Sequence, residues 1–144
     1  MNLERLKMWE AALVEAEAKG RKFDFSTYLR RVEESCSPCG FTACLGGDLA
    51  LYKPVRKLGL SLEEGVSVLP GILWNDEDHG GRYAIACFLE ICPHHAEDNE
   101  WLCLTIYPEN GWLAYGKAGN LVTRADGVAR IRAKIAEIEA ANAA

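Results

Sequence analysis

The segment Cys36-Ser37-Pro38-Cys39-Gly40-Phe41-Thr42-Ala43-Cys44-Leu45-Gly46-Gly47 gathers three of the chain's six cysteines and three of its glycines into twelve residues. Residues of these types suit three kinds of chemistry. Tetrahedral zinc takes soft thiolates, and the two-residue gap lets Cys36 and Cys39 face one ion. The second half of such a site would come from Cys92-Pro93-His94, giving Cys36, Cys39, Cys92 and His94, with Cys44 able to stand in for Cys92. A thiol enzyme would instead need a low-pKa cysteine, Cys39 or Cys44 beside a predicted helix N-terminus, with His79, His94 or His95 as base. The third reading is architecture: Cys44, Cys87 and Cys103 have apolar neighbours and pack as small hydrophobes, while Gly40, Gly46 and Gly47 permit close approach or positive φ. Architecture is preferred, because half of the expected zinc-knuckle spacing is missing and nothing local brings an imidazole to a thiol. No nucleophile elbow, P-loop, HExxH or dinucleotide fingerprint occurs. No catalytic residue is assigned, and zinc is the sole cofactor alternative.

Charge marks a second region. Between Trp74 and Glu109 eight acids face Arg82 alone, so this stretch carries −7 and leaves +2 for the remainder of a chain of net charge −5. Such asymmetry can steer a basic partner to one face. Asp76-Glu77-Asp78-His79-Gly80-Gly81 hints at a calcium loop but fails, since its fifth position is Gly80 and its twelfth is Cys87, where a bidentate glutamate is needed. An aromatic ringed by acids is a contact anchor, so the candidate partner-binding residues are Trp74, Asp76, Glu77, Asp78, Glu97, Asp98, Glu100 and Trp101. Direct nucleic-acid binding is disfavoured by the lack of a basic stripe with interleaved aromatics.

The elements that must hold these groups follow from periodicity. At 144 residues and 49% hydrophobic, the chain suits one domain. Leu6, Trp9, Leu13 and Ala16 predict a helix over residues 3–19, stopped at Gly20. Phe25, Tyr28, Leu29 and Val32 predict a shorter second helix, and a third is expected from Phe41 to Tyr52, ended by Pro54. Ser61-Leu62-Glu63-Glu64 has capping-box spacing, so a fourth helix should carry Leu62, Val66 and Leu69 inward. Residues 82–91 are apolar on both faces and fit helix or strand. Residues 100–107 are rich in β-formers, and Pro108-Glu109-Asn110-Gly111 before Trp112-Leu113-Ala114-Tyr115 predicts a hairpin. Thr123-Arg124-Ala125-Asp126 offers a capping box for a long closing helix through Ile131, Ile135 and Ile138, with the alanine tail 140–144 frayed. The expected fold is α+β: a helical part over 1–73, an acidic β-containing insertion over 74–118 carrying a hairpin or meander, and a closing helix over 119–139.

Cys39-Gly40-Phe41-Thr42-Ala43-Cys44-Leu45-Gly46-Gly47 resembles the Cys-Gly-Thr-x-x-Cys-Ile-Ala-Gly signature of a group of small uncharacterised proteins carried by phages and bacteria. The flanks are similar too. Phe23-Asp24-Phe25-Ser26-Thr27-Tyr28-Leu29 matches the group's Phe-Asp-x-x-x-Trp/Tyr-Leu element, Leu58-Gly59-Leu60-Ser61 its Leu-Gly-Leu-Thr/Ser element, and residues 123–135 its closing helix. Phe41 replaces the usual threonine. The resemblance covers residues 20–70 and 120–138 and implies a setting in phage or mobile DNA, with no activity or site residue attached.

Together these features lead to the expectation of a cytoplasmic, non-enzymatic protein-binding protein. Its acidic surface would dock on a basic surface of a host protein, as a counter-defence inhibitor or regulator would. No stretch of about 18 apolar residues predicts a membrane span, and Met1-Asn2-Leu3-Glu4-Arg5 leads into a charged helix rather than a signal sequence. A zinc-stabilised adaptor is the alternative, and a cysteine-dependent enzyme the third.

Overall fold

Two long helices frame the protein, and both begin at side-chain caps. In the computed structural model, which describes residues 1–25, 29–32, 41–64, 69–107 and 112–144, helix α1 (Leu3–Ala18) starts where the Asn2 side chain accepts from Arg5 N–H at 3.1 Å. It buries Leu6, Trp9, Ala12, Leu13 and Ala16. Gly20 then turns the chain at φ 69°, a backbone state that costs glycine little. The closing helix, to be called α6 (Arg124–Ala143), begins with the expected capping box: Asp126 N–H donates to Thr123 Oγ1 at 3.2 Å, and Thr123 N–H donates to Asp126 Oδ2 at 2.8 Å. The alanine tail, expected to fray, continues this helix to Ala143, in keeping with alanine's high helix propensity.

Between them the local signals are overruled by long-range pairing. Residues 25–32 have a helical stripe, yet β2 (Leu29–Arg31) pairs antiparallel with β3 (Phe41–Ala43), which also pairs in parallel with β1 (Lys22–Phe23). Phe41 and Thr42 are better β- than helix-formers, so the helix expected from Phe41 begins only at α2 (Leu45–Leu51), after Cys44 as its N-cap. Pro54 does not end that helix but opens the single-turn α3 (Lys53–Arg56), where its missing N–H costs nothing.

The start of the fourth expected helix is likewise a strand, and residues 65–68 of it lie outside the described residues. Strand β4 (Leu60–Leu62) pairs antiparallel with β5 (Ile72–Trp74), Leu60 opposite Trp74 and Leu62 opposite Ile72. Ser61, expected to cap a helix with Glu64, lies in β4 instead, and Glu63 closes the hairpin. Its N–H donates to the Gly71 carbonyl at 2.9 Å and its carboxylate accepts from Gly71 N–H at 3.2 Å. Val66 lies outside the described residues.

The β element expected within 74–118 is helical where it is described. Residues 82–91 resolve as α4 (Gly81–Phe88), burying Ala84, Ile85 and Phe88. The β-rich run 100–107 lies in α5 (Ala96–Ile106), because Leu102, Thr105 and Ile106 share one buried helical face. The hairpin sequence 108–111 falls outside the described residues, and Leu113–Tyr115 forms a 3₁₀ turn. The fold is α+β and mainly helical with a small antiparallel hairpin, as expected, but the hairpin belongs to 60–74. No helix of the described residues is long and apolar enough to cross a membrane.

α6 packs along α1, and α1 on α2. Trp9 Nε1–H donates to the Leu45 carbonyl at 2.8 Å. A Cβ added to Gly127 would collide with the Leu45 side chain, so only glycine lets α6 approach α2 so closely. Beside this contact lies a buried ionic group. Asp48, with a side chain 0% exposed, accepts from Arg124 Nε at 2.7 Å and from Arg21 Nη1 at 3.0 Å. Arg124 also donates to Glu17 at 2.8 Å and to the Arg21 carbonyl at 2.8 Å. One guanidinium thus ties the start of α6 to α1, α2 and the turn after α1.

Candidate protein-docking site

A groove of about 650 Å³ runs between α5 and α6. It owes its shape to antiparallel helices whose facing positions differ in size. On α5, Glu97, Glu100, Trp101 and Leu104 recur one turn apart; on α6 the exposed Ala129 and Ala133 leave the opposite wall low. Trp101 is seated by an edge contact with Trp9 at 6.2 Å. Trp112, buried, closes one end, with its ring edge-on to Phe25 at 5.8 Å and its indole N–H donating to the Thr105 carbonyl at 3.2 Å.

Arg130 joins these walls. Its Nε donates to Thr105 Oγ1 at 2.7 Å and its Nη1 to the Tyr115 hydroxyl at 3.0 Å. Its guanidinium carbon lies 5.8 Å from the Trp101 ring centre, 5.6 Å from Trp112 and 5.5 Å from Tyr115. Three ring faces and two hydroxyls therefore hold this guanidinium in place, with no carboxylate paired to it among the described residues. Lys134, further along, is held by Glu137 at 2.8 Å and sits 5.9 Å from the Trp101 ring.

The eight partner-binding candidates divide by what they already do. Glu97 and Glu100 are exposed on the groove rim, and their side chains form no hydrogen bond or ion pair with any described residue. Trp101 is partly buried and lines the groove. Asp98, on the same helix, is turned inward, 15% exposed, at 3.8 Å from Lys134 and 3.4 Å from His95. The other four lie outside the groove lining. Trp74 and Glu77 exchange backbone hydrogen bonds of 3.1 and 3.0 Å around Asn75 and Asp76, both at positive φ. That is the geometry of a two-residue type I′ turn, for which Asn and Asp are favoured. Glu77 meets His79 at 2.8 Å, and Asp78 accepts from Gly80 N–H at 3.2 Å. Trp74 is partly buried against the core. Glu77 and Asp78 thus spend their charge within the turn, while the Asp76 carboxylate is exposed and pairs with no described residue.

The cysteines separate similarly. Cys36 and Cys39 lie outside the described residues, and Cys92 and His94 are exposed. Among the described residues no three His, Cys, Asp or Glu side chains converge as a metal site would require. Cys44 does occupy the N-cap position of α2, as a reactive thiol would wish, but its side chain makes no capping hydrogen bond and burial pushes its pKa up to about 12, outweighing the lowering effect of the Gly47 and Gly46 backbone. It is a core thiol. His95 uses Nδ1 to accept from Asp98 N–H at 3.2 Å and so caps α5. His79 reaches a thiol only indirectly: it packs on Tyr83 at 5.2 Å, and the Tyr83 hydroxyl is pushed up in pKa first by its hydrogen bond with Cys87.

The sequence reading did not single out Arg130, and met Trp112 and Tyr115 as residues of an expected hairpin. The signal present was Arg130 and Lys134 one turn apart on a helix with alanines beside them, which acquires meaning only once α5 is known to lie opposite. No protein-family model, curated protein or solved structure matches the chain. The likeness to the phage and bacterial group therefore rests on the quoted residues alone.

Proposed function

We propose that this chain is a non-enzymatic protein-binding protein that docks on a basic surface of its partner through the groove between α5 and α6. The observation that carries this reading is the pairing state of the groove: Lys134 is paired with Glu137 and Arg130 is held by two hydroxyls and three rings, whereas Glu97 and Glu100 stand exposed and unpaired beside Trp101. Carboxylates placed this way seek Lys or Arg and steer their approach, while an aromatic anchor supplies apolar contact. The signature resemblance supports a phage or mobile-element origin. In that setting an acidic surface occupying the Arg/Lys sites of a host nucleic-acid-binding protein would act as an inhibitor.

The test is reversal of the two free carboxylates, Glu97→Lys with Glu100→Lys, in a pull-down from host extract followed by direct binding to the protein recovered. Both side chains are exposed and unpaired, and reversing Glu97 in the first turn of α5 costs only about 0.3–1 kcal/mol of helix-dipole interaction, so the thermal midpoint should fall by a few degrees at most while capture of the basic partner is lost. Unchanged capture, or a partner whose contact surface is acidic, overturns the proposal.

A further inference from the structure

We infer, resting on the reading just given, that the element received by this groove is a short amphipathic α-helix. It would place a bulky apolar side chain at the groove's aromatic end and a Lys or Arg two turns along at its acidic end. The contacts across the groove give it direction. Arg130 meets Thr105 and Tyr115, whereas Lys134 meets Trp101 and comes within 3.8 Å of Asp98. As numbering rises on α6 it falls on α5, so Leu104, Trp112 and Tyr115 mark one end and Glu97, Glu100 and Glu137 the other. From Arg130 to Glu137 the helix axis advances about 10 Å at ~1.5 Å per residue.

The occupant's backbone decides its conformation. An extended segment carries N–H and C=O groups that need partners, and the described walls, α5, α6 and the 3₁₀ turn Leu113–Tyr115, have no free strand edge to provide them. A helix satisfies its own backbone and reads such a groove with side chains alone. With Ala129 and Ala133 on the low wall, a helix axis can come within the usual ~8–10 Å of α6. A span of about 10 Å then corresponds to an apolar residue at i and a cation at about i+7 on the partner. Charge selects the sign: Glu137 is held by Lys134, and Glu97 and Glu100 remain to be neutralised.

The experiment is calorimetric titration of the full chain with three synthetic peptides of about four helical turns. The first carries Leu at i and i+4 and Lys at i+7 and i+11 on an Ala/Gln background. The second replaces each Lys with Glu, and the third keeps the first composition but has a central proline that breaks the helix. The first should bind, weakening with added salt, and the second should not. The third should bind at least about tenfold less tightly. Glu97→Lys with Glu100→Lys should weaken the first peptide at least about tenfold, as expected for reversing two pairs worth up to ~1 kcal/mol each. Ala133→Trp, a substitution at an exposed position, should block it with circular dichroism unchanged.

Equal binding of the first and third peptides overturns the helix and leaves the basic-partner reading standing. Equal binding of the first and second overturns both. Full binding by a folded Ala133→Trp variant removes the groove as the site, and no binding by any peptide overturns the helical occupant while the pull-down still judges the broader reading.

Discussion

Replacing Arg124 with alanine should damage this protein more than any exposed substitution, because it strands a carboxylate. Asp48 has no exposed surface and Arg124 donates to it through Nε at 2.7 Å and Nη2 at 3.4 Å. Arg21 alone would remain from the pair of guanidiniums described around it. Removing one partner of a buried ion pair costs roughly 3–5 kcal/mol, against a total stability of about 5–15 kcal/mol for an ordinary domain. With a urea slope of about 2 kcal/mol per molar, the midpoint of unfolding should fall by roughly 2 M. The pH dependence gives the sharper check. Burial already pushes the Asp48 carboxyl above its ordinary value against the pull of Arg124 and Arg21, and losing Arg124 pushes it further. A group whose folded pKa is raised contributes stability that is present below its unfolded pKa and lost as pH rises through the folded one. The deficit of Arg124→Ala relative to wild type should therefore be largest near neutral pH and shrink toward pH ~4. Asp48→Asn in the Arg124→Ala background should recover part of it. A loss below about 1 kcal/mol at neutral pH, or a deficit that grows on acidification, refutes the assignment of this group as the tie between α6, α1 and α2.

Two further outcomes follow from buried contacts. With a pKa of about 12, Cys44 should resist iodoacetamide in the native protein, since only about one thiol in ten thousand is ionised at pH 8. Peptide mapping should show the exposed Cys92 alkylated first, and equal labelling of the two would contradict the core placement of Cys44. Gly127→Ala gains helix propensity of ~1 kcal/mol but drives a Cβ into Leu45, an overpacking that costs about 1–3 kcal/mol. Urea unfolding should show a net loss, and a variant as stable as wild type would mean that α6 does not approach α2 this closely.

How much of this was legible in the sequence depends on the range over which each element is decided. α1 and α6 could be read because their apolar spacing continues over several turns and each end carries its own signal, Gly20 in one case and Thr123 with Asp126 in the other. The segments between are short, and a stripe such as Phe25–Val32 is compatible with more than one structure until its hydrogen-bond partners are known. Leu29–Arg31 and Phe41–Ala43 found each other, and Leu60–Leu62 found Ile72–Trp74. The error at 100–107 ran the other way: β-forming side chains were accepted into a helix because burying Leu102, Thr105 and Ile106 on one face outweighs propensities worth tenths of a kcal/mol each.

The groove shows the same division at the level of single side chains. Composition and charge pointed to Glu97, Glu100 and Trp101, since an acid-bordered tryptophan is visible in any one-dimensional reading. They pointed with equal force to Asp98 and to Asp76, Glu77 and Asp78, and only geometry separates these. Helical periodicity places Asp98 about 100° round α5 from Glu97, enough to turn it toward Lys134 rather than to solvent. Glu77 and Asp78 spend charge on His79 and on Gly80 N–H, whereas Asp76, at positive φ in the turn, keeps an exposed and unpaired carboxylate but lies outside the groove and its apolar wall. A carboxylate already committed to its own chain has less to offer a partner, because its charge is spent before the partner arrives. Recognition by this protein is therefore best sought where charge remains unspent beside apolar surface, and Arg130, invisible as a site residue in the sequence, creates that condition by holding Trp101, Trp112 and Tyr115 as one wall.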